Sequence, residues 1–234
     1  MLLLVAALPG CATEAPASRI LQFGGMREVM REGRDETRVR LAELGAVAGP
    51  GGGLIAVGAL GGLAGEVTAD GETWWIATAG DERVQVLHAP GEHGAALLTA
   101  ARVAAWDEAS AAGPLNEARL GAVVSEHLRA RGLDPSQPWA VRIEGRSAAL
   151  ELHVIRGDCP HAPDAAIPAW RGSPPEGTPV VLVGFHAPGK AGLLTHHGTE
   201  FHLHAILNDG TGPVAGHVDR FTLLPGARVL LARP

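Results

Sequence analysis

The chain has 234 residues, a formal net charge of −6 and 46% hydrophobic residues, with 32 Gly and 17 Pro. Its only lysine is Lys190, so it lacks the basic face that a nucleic-acid partner requires. No segment approaches the roughly 18 consecutive apolar residues of a membrane-spanning helix. The length allows one large domain or two small ones, and the composition is typical of a turn-rich α/β or mainly β protein.

Residues 1–18 are predicted to be a lipoprotein signal and linker. Leu8-Pro9-Gly10-Cys11 has the form of a bacterial lipobox, which would make Cys11 a lipid anchor and the protein exported or anchored in a bacterial envelope. The alternative is an apolar tail on a cytoplasmic protein, because the apolar segment is short and no Lys or Arg precedes it. Cys159 is the only other cysteine, so lipidation of Cys11 excludes a disulfide.

Further along the chain, the apolar pattern predicts helices at residues 20–33, 41–44 and 115–131. The predicted strands, in chain order, are residues 54–63, 66–68, 73–78, 84–88, 139–145, 147–155, 180–185, 201–207, 214–223 and 228–232. The strands at 139–145 and 147–155 are expected to form a hairpin, and a Pro-rich connector follows them.

The strongest functional signal is an H-x-H pair, His202 and His204, followed after a turn by His217. On a strand, His202 and His204 share one face. If Leu207 lies opposite Val214 across the turn, His204 lies opposite His217, with Cβ atoms about 5 Å apart. Three imidazoles would then converge as a zinc site with an open fourth position requires. The alternative is a solvated strand face, since an H-x-H pair alone is weak evidence.

Three further positions are candidates. Glu66 lies in a glycine-rich strand and is either a surface charge at a sheet edge or a functional acid. Arg142 shares a strand face with Glu144, so it forms either a surface ion pair or a cleft guanidinium that binds a carboxylate or oxyanion. His196 and His197 are adjacent and would face opposite ways, and we expect neither to be a ligand.

The order of four motifs along the chain resembles that of the α-acetolactate decarboxylase family. The motifs are Gly65-Glu66, Ala140-Val141-Arg142-Ile143, the His202 and His204 pair, and Gly216-His217-Val218. The resemblance extends over residues 21–223. It implies an α/β (α+β) fold of two linked subdomains of mixed, largely antiparallel β-sheet with a few helices, residues 19–158 and 159–234. The metal site would lie on a C-terminal β-hairpin of the second.

The resemblance also implies a reaction and the residues that perform it. His202, His204 and His217 would be Zn²⁺ ligands, Glu66 the active-site acid and Arg142 the residue that stabilises negative charge. The reaction would be decarboxylation of 2-acetolactate to acetoin and CO₂, with Zn²⁺ as Lewis acid and no organic cofactor. We further expect a homodimer.

The chain departs from the family pattern at three places. No acidic residue follows Asp219, where the family has a second glutamate on a longer tail, and Ala59 and Phe201 replace a threonine and a tyrosine. Strand parity places Glu200 on the face of His202, so Glu200 is predicted to supply the missing carboxylate. Two alternatives stay open: a non-catalytic zinc-containing relative that binds a small hydroxy or keto acid, and another three-histidine zinc hydrolase or hydratase.

Overall fold

The structure is a computed structural model that describes residues 19–32, 37–157, 169–196 and 198–234. Its strands are β1 (Ile20–Phe23), β2 (Val39–Arg40), β3 (Gly53–Leu60), β4 (Glu66–Gly71), β5 (Thr73–Ala79), β6 (Val84–Leu87), β7 (Gly94–Val103), β8 (Trp106–Ala109), β9 (Leu115–Asn116), β10 (Trp139–Ile155), β11 (Ala169–Gly172), β12 (Pro179–His186), β13 (Phe201–Asn208), β14 (Pro213–Leu223) and β15 (Arg228–Ala232). Its helices are α1 (Met26–Glu32), α2 (Leu41–Val47) and α3 (Glu117–Ala130), with a 3₁₀ turn at Gly61–Leu63. The predicted signal, Cys11 and Cys159 lie outside the described residues.

The strands form two antiparallel sheets. The first has the order β1-β7-β3-β4-β5-β6, with β2 paired to β7, and the second has the order β8-β15-β10-β12-β13-β14-β9, with β11 paired to β10. The long strand β10 pairs with β12 through its first half and with β14 through its second half, so β10, β12, β13 and β14 close into a ring. The predicted α+β class, mostly antiparallel sheet with few helices, is confirmed. None of the described helices combines the length and apolar content needed to cross a bilayer.

Two predicted elements differ from the structure. Residues 139–155 form one continuous strand instead of a hairpin: β10 passes Ser147 with a register shift in its pairing with β14 and without a turn. The segment predicted as a helix from residue 20 begins as strand β1, and α1 starts only at Met26. Gly24, with φ +66°, separates the two, and a Cβ at this residue would lie 2.5 Å from the Ala96 carbonyl oxygen.

The predicted division at residues 158 and 159 does not coincide with the change from one sheet to the other. Strands β8, β9 and β10 precede residue 158 but pair within the second sheet. The chain passes between sheets after β7, which ends at Val103, and before β8, which begins at Trp106.

The main apolar core lies between the two sheets and under α3. From the first sheet it includes Ile55 and Val57 of β3, and from the second Leu182 of β12 and Phe185. The opposite face of β3 packs with Leu41 and Leu44 of α2 in a separate cluster. The apolar face predicted for residues 115–131 is confirmed, since α3 buries Leu120, Val123, Val124 and Leu128.

The alternation of β4 places polar groups between the sheets. Val67 and Ala69 pack into the α2 cluster. Glu66, Thr68 and Asp70 occupy the alternate positions and contact side chains of the second sheet. Strand β4 therefore carries one side of a polar site whose other side comes from the second sheet.

Candidate metal centre

The predicted histidine hairpin is present. Strands β13 and β14 pair with His204 opposite His217 and Leu207 opposite Val214, the register expected from the sequence. The turn is stabilised by Asn208 Oδ1, which accepts a hydrogen bond of 2.9 Å from the Gly210 N–H. The three histidines His202, His204 and His217 are buried.

Five histidines lie close together around this hairpin. The His217 ring centroid is 4.4 Å from that of His196, 4.9 Å from His153, 5.2 Å from His202 and 5.6 Å from His204. His153 is on β10, directly opposite His217 in the β10–β14 pairing. We call these five residues the histidine cluster.

Ligand nitrogens of His196, His202 and His217 all lie within 4.8 Å of one another, a spacing that suits one metal ion. His196 therefore reaches the cluster, contrary to the expectation from the sequence. It precedes β13 in the connection after β12, so strand parity does not govern its direction. His197 lies outside the described residues.

His204 is oriented by the first sheet. Its Nδ1 lies 2.8 Å from Thr68 Oγ1, and both side chains are fully buried. Its Nε2 lies 3.7 Å from Glu66 Oε2 and has no hydrogen-bond partner among the described residues. A histidine that binds a metal through one ring nitrogen usually donates the N–H of the other to an acceptor. In His204, with a metal on Nε2, this donor is Nδ1 and the acceptor is Thr68 Oγ1. His204 thus offers an unused lone pair on Nε2.

The remaining imidazoles also suit a metal. Nδ1 of His202 is buried without a hydrogen-bond partner in the described part of the chain. Burial, followed by the proximity of His196, lowers the pKa of His202 to about 3. Burial likewise lowers the pKa of His204 and His217 well below the ordinary value. These three imidazoles therefore favour the neutral form, in which imidazole binds metal, and the donor set fits Zn²⁺.

Glu66 is the buried acid of the site, with 4% of its surface exposed. Its Oε1 accepts a hydrogen bond of 3.4 Å from the Ile155 N–H and lies 4.0 Å from His153 Nε2. Burial raises the pKa of Glu66 well above its ordinary value, the Ile155 hydrogen bond lowers it, and the charge of Asp219 raises it again. In the absence of a metal, Glu66 holds a proton to a higher pH than an exposed glutamate does.

His153 is held by Asp219, which is in turn paired with Arg171. Its Nδ1 lies 2.8 Å from Asp219 Oδ1, and Arg171 Nη1 lies 2.8 Å from Asp219 Oδ2. The second carboxylate near the cluster is therefore Asp219, a residue that the sequence pattern alone does not place there. Strand pairing between β10 and β14 brings it there.

A cavity of about 220 Å³ opens onto the cluster. Its polar lining consists of Glu66, His153, Arg171, His196, His202 and His217, and its apolar lining includes Val29, Ala59, Leu63, Leu97 and Ile155. A second cavity, of about 330 Å³, is more polar and contacts His153, His196 and His217 from another direction, with Glu117 and Asp219 in its walls. The cluster is thus accessible to a small ligand.

Comparison with known proteins identifies the architecture. The α-acetolactate decarboxylase of Bacillus subtilis strain 168 superposes with a TM-score of 0.67 at 15% identity, over 92% of this chain and 85% of that one. The acetolactate decarboxylase of Bacillus subtilis subspecies spizizenii gives 0.66 at 14% identity, over 92% and 86%. A Staphylococcus aureus protein of unknown function similar to α-acetolactate decarboxylase gives 0.65 at 18%, over 91% and 84%.

The chain has the α-acetolactate decarboxylase fold. No protein-family model matches the sequence, and no curated protein matches it. At identities of 14–18% the superposition shows the fold alone, so the reaction has to be inferred from the site.

Within this acetolactate decarboxylase fold, Arg142 is not brought to the cluster. Its Nε donates to Asp70 Oδ1 at 2.9 Å, and its Nη1 donates to Glu144. Arg142 lines neither cavity, whereas Arg171 lines the smaller one. The charge-stabilising role predicted for Arg142 thus lacks geometric support, and the ion pair with Glu144 considered in the sequence analysis is present.

Glu200 also lies apart from the cavities. Strand β13 begins at Phe201, so Glu200 precedes it, and the glutamate side chain is 59% exposed. Its Oε2 lies 3.6 Å from Nε2 of the buried His186. The predicted role of Glu200 as the missing carboxylate stays a prediction without support from these contacts.

Proposed function

We propose that this protein is a zinc-dependent decarboxylase that converts 2-acetolactate to acetoin and CO₂. The observation that carries the proposal is the buried Glu66 carboxyl against the histidine cluster, at a cavity in the α-acetolactate decarboxylase fold. A buried acid beside neutral imidazoles supplies the two elements the reaction needs: a metal site and a proton donor.

His202, His204 and His217 would hold the metal. They come from two paired strands of a closed sheet, so their backbone positions are rigid, and Thr68 fixes the His204 ring. Bound Zn²⁺ would act as a Lewis acid toward the oxygens of the substrate.

Glu66 would donate the proton that the reaction consumes. Decarboxylation breaks the bond between the carboxylate carbon and C2, and the electron pair left on the substrate takes up one proton to give acetoin. Glu66 is suited to donate it, because burial raises its pKa. Once ionised, Glu66 keeps the Ile155 N–H as a hydrogen-bond donor, and it regains a proton from water.

The walls of the smaller cavity suit the methyl groups and the carboxylate of the substrate. Acetolactate carries two methyl groups, and Val29, Leu63 and Leu97 provide apolar surface for them. Arg171 lines the same cavity and would attract the substrate carboxylate, a task for which a guanidinium is well formed. Its pairing with Asp219 holds it toward the site.

One observation favours a second candidate, a non-catalytic relative that binds a small hydroxy or keto acid. Glu200, the predicted second carboxylate, lies beside His186 and lines neither cavity. Such a protein would retain the metal and the cavity without turnover.

The test is to incubate zinc-loaded protein with racemic acetolactate and to quantify acetoin and CO₂ against a protein-free blank. Equal amounts of both products, lost after chelation and restored by Zn²⁺, would support the decarboxylase. Saturable binding of acetolactate by calorimetry without product formation would instead favour the non-catalytic relative.

A further inference from the structure

His196 stands apart from the other histidines of the cluster because it comes from a connection rather than a strand. Its ring centroid nevertheless lies 4.4 Å from that of His217 and 5.9 Å from that of His202. Its ligand nitrogen falls in the closely spaced group with these two residues. His204 lies beside this group, with its ring centroid 5.3 Å from that of His202 and 5.6 Å from that of His217.

Hydrogen bonds fix the position of the chain just before His196. The Gly192 N–H donates to the Thr195 carbonyl at 2.7 Å, and the Arg27 N–H of α1 donates to the Gly192 carbonyl at 2.9 Å. Thr195 Oγ1 donates to the Thr199 carbonyl at 2.9 Å, which closes the segment around His196. These bonds hold the His196 backbone beside the cluster.

We propose that His196 is a fourth protein ligand of the metal and that an incoming α-hydroxy ketone or α-hydroxy acid displaces it. An oxygen of the incoming ligand would take the place of the His196 nitrogen, and His196 would leave as a neutral imidazole. The displacement part rests on the proposed function, whereas the ligand part concerns metal binding alone. Four protein ligands are typical of a closed zinc site, and three with an open position are typical of a catalytic one.

The surroundings of His196 provide the space for this exchange. His196 lines both the cavity of about 220 Å³ that contains Glu66 and the cavity of about 330 Å³ that contains Glu117. Both cavities therefore reach the His196 ring, and a ligand that enters the first cavity meets it there.

The first experiment measures metal affinity, which does not depend on turnover. Zn²⁺ affinity is determined by chelator competition for wild type, His196→Ala, His196→Gln and His153→Ala, with His202→Ala as the reference for a lost ligand. His153 is the matched control. Its ring centroid also lies close to that of His217, at 4.9 Å, but its Nδ1 is already paired with Asp219. Thermal unfolding of each metal-free variant reports whether it folds.

We expect both His196 variants to lower the affinity by more than about 100-fold, beyond the 10–100-fold cost of losing a hydrogen-bond partner of a ligand. His153→Ala should lower it by less than about tenfold. A loss for folded His196→Ala no larger than that for His153→Ala would overturn the proposal.

The second experiment follows the exchange with Co²⁺ in place of Zn²⁺ and acetoin as the probe. We expect acetoin to change the visible Co²⁺ spectrum of wild type, and His196→Ala to bind acetoin more tightly because no imidazole has to leave. Equal or weaker acetoin binding by His196→Ala would refute displacement. Absence of acetolactate turnover alongside the predicted affinity losses would refute the decarboxylase and leave the ligand assignment standing.

Discussion

Thr68→Val tests whether the first sheet controls the metal centre. Valine has nearly the shape of threonine, so the substitution removes the 2.8 Å contact between Oγ1 and His204 Nδ1 without opening a cavity. Both residues are fully buried, so no water replaces the lost partner. An unpaired buried donor costs about 1–3 kcal/mol of folding stability.

The same change should weaken Zn²⁺ binding. Loss of the group that orients a ligand histidine typically costs about 10–100-fold in metal affinity, which is about 1.4–2.8 kcal/mol at 1.4 kcal/mol per tenfold. Chelator competition measures the affinity, and denaturant unfolding of the metal-free protein measures the stability.

Thr99→Val is the matched control. Thr99 is also fully buried in the first sheet, and its Oγ1 donates to Gln22 Oε1. Thr99→Val should lower stability by a similar amount and leave Zn²⁺ affinity unchanged. If Thr68→Val binds Zn²⁺ as tightly as Thr99→Val does, then Thr68 does not orient a metal ligand and the reasoning fails.

Three further predictions concern the acidic and basic side chains. Burial raises the pKa of Glu66 above its ordinary value of 4.5, so the folded metal-free protein binds a proton that the unfolded chain releases as the pH rises above that value. The Glu66 contribution to the stability of the metal-free protein should therefore fall as the pH rises above 4.5, whereas the buried histidines, whose pKa is lowered, make stability rise with pH toward 6.5. Glu66→Gln should accordingly make stability rise more steeply with pH in urea titrations than it does in wild type; an unchanged slope contradicts the burial argument. Arg142→Met should lower stability by about 1–3 kcal/mol, because Asp70 loses its partner. Acetoin formation by the zinc-loaded Arg142→Met protein should change by less than about tenfold. A larger loss of kcat would support the role that the resemblance implies for Arg142. Glu200→Gln separates two readings: strand parity predicts loss of turnover at full zinc content, and the contact with His186 predicts turnover within about twofold of wild type.

The histidine hairpin could be predicted from sequence because its determinants are local. Alternation places His202 and His204 on one face, and the turn formers between Leu207 and Val214 set the register with His217. Glu66 was identifiable as a candidate because its glycine-rich strand suits a close approach of backbones. Gly65 has φ +154°, and a Cβ there would lie 2.3 Å from the Ala77 carbonyl oxygen.

The residues that sequence reasoning missed depend on long-range pairing. His153 and Asp219 meet because β10 continues past Ser147 and pairs with β14. Because β10 is continuous there, the hairpin predicted for residues 139–155 does not form. His196 lies in a connection, where residue alternation gives no direction. For Arg142 the role implied by the resemblance stays a prediction, and the structure pairs its guanidinium with the carboxylates of Asp70 and Glu144.

Strand β7 was also absent from the predicted elements, for a related reason. Its sequence from Gly94 is rich in alanine, which favours helix over strand. Strand β7 pairs with β1, β2 and β3. The backbones of β3 and β7 approach so closely that a Cβ on Gly58 would lie 2.0 Å from the Leu97 carbonyl oxygen. Packing between neighbouring strands, which local propensity does not report, decided this element.

The most direct test of the central claim is the rate of acetoin formation from racemic acetolactate by wild type and Glu66→Gln at equal zinc content. We expect wild type to release acetoin well above the protein-free rate and Glu66→Gln to fall by at least about 100-fold, the lower end of what general acid catalysis contributes. Acetoin formation by Glu66→Gln equal to that of wild type, or none by zinc-loaded wild type, would contradict the claim.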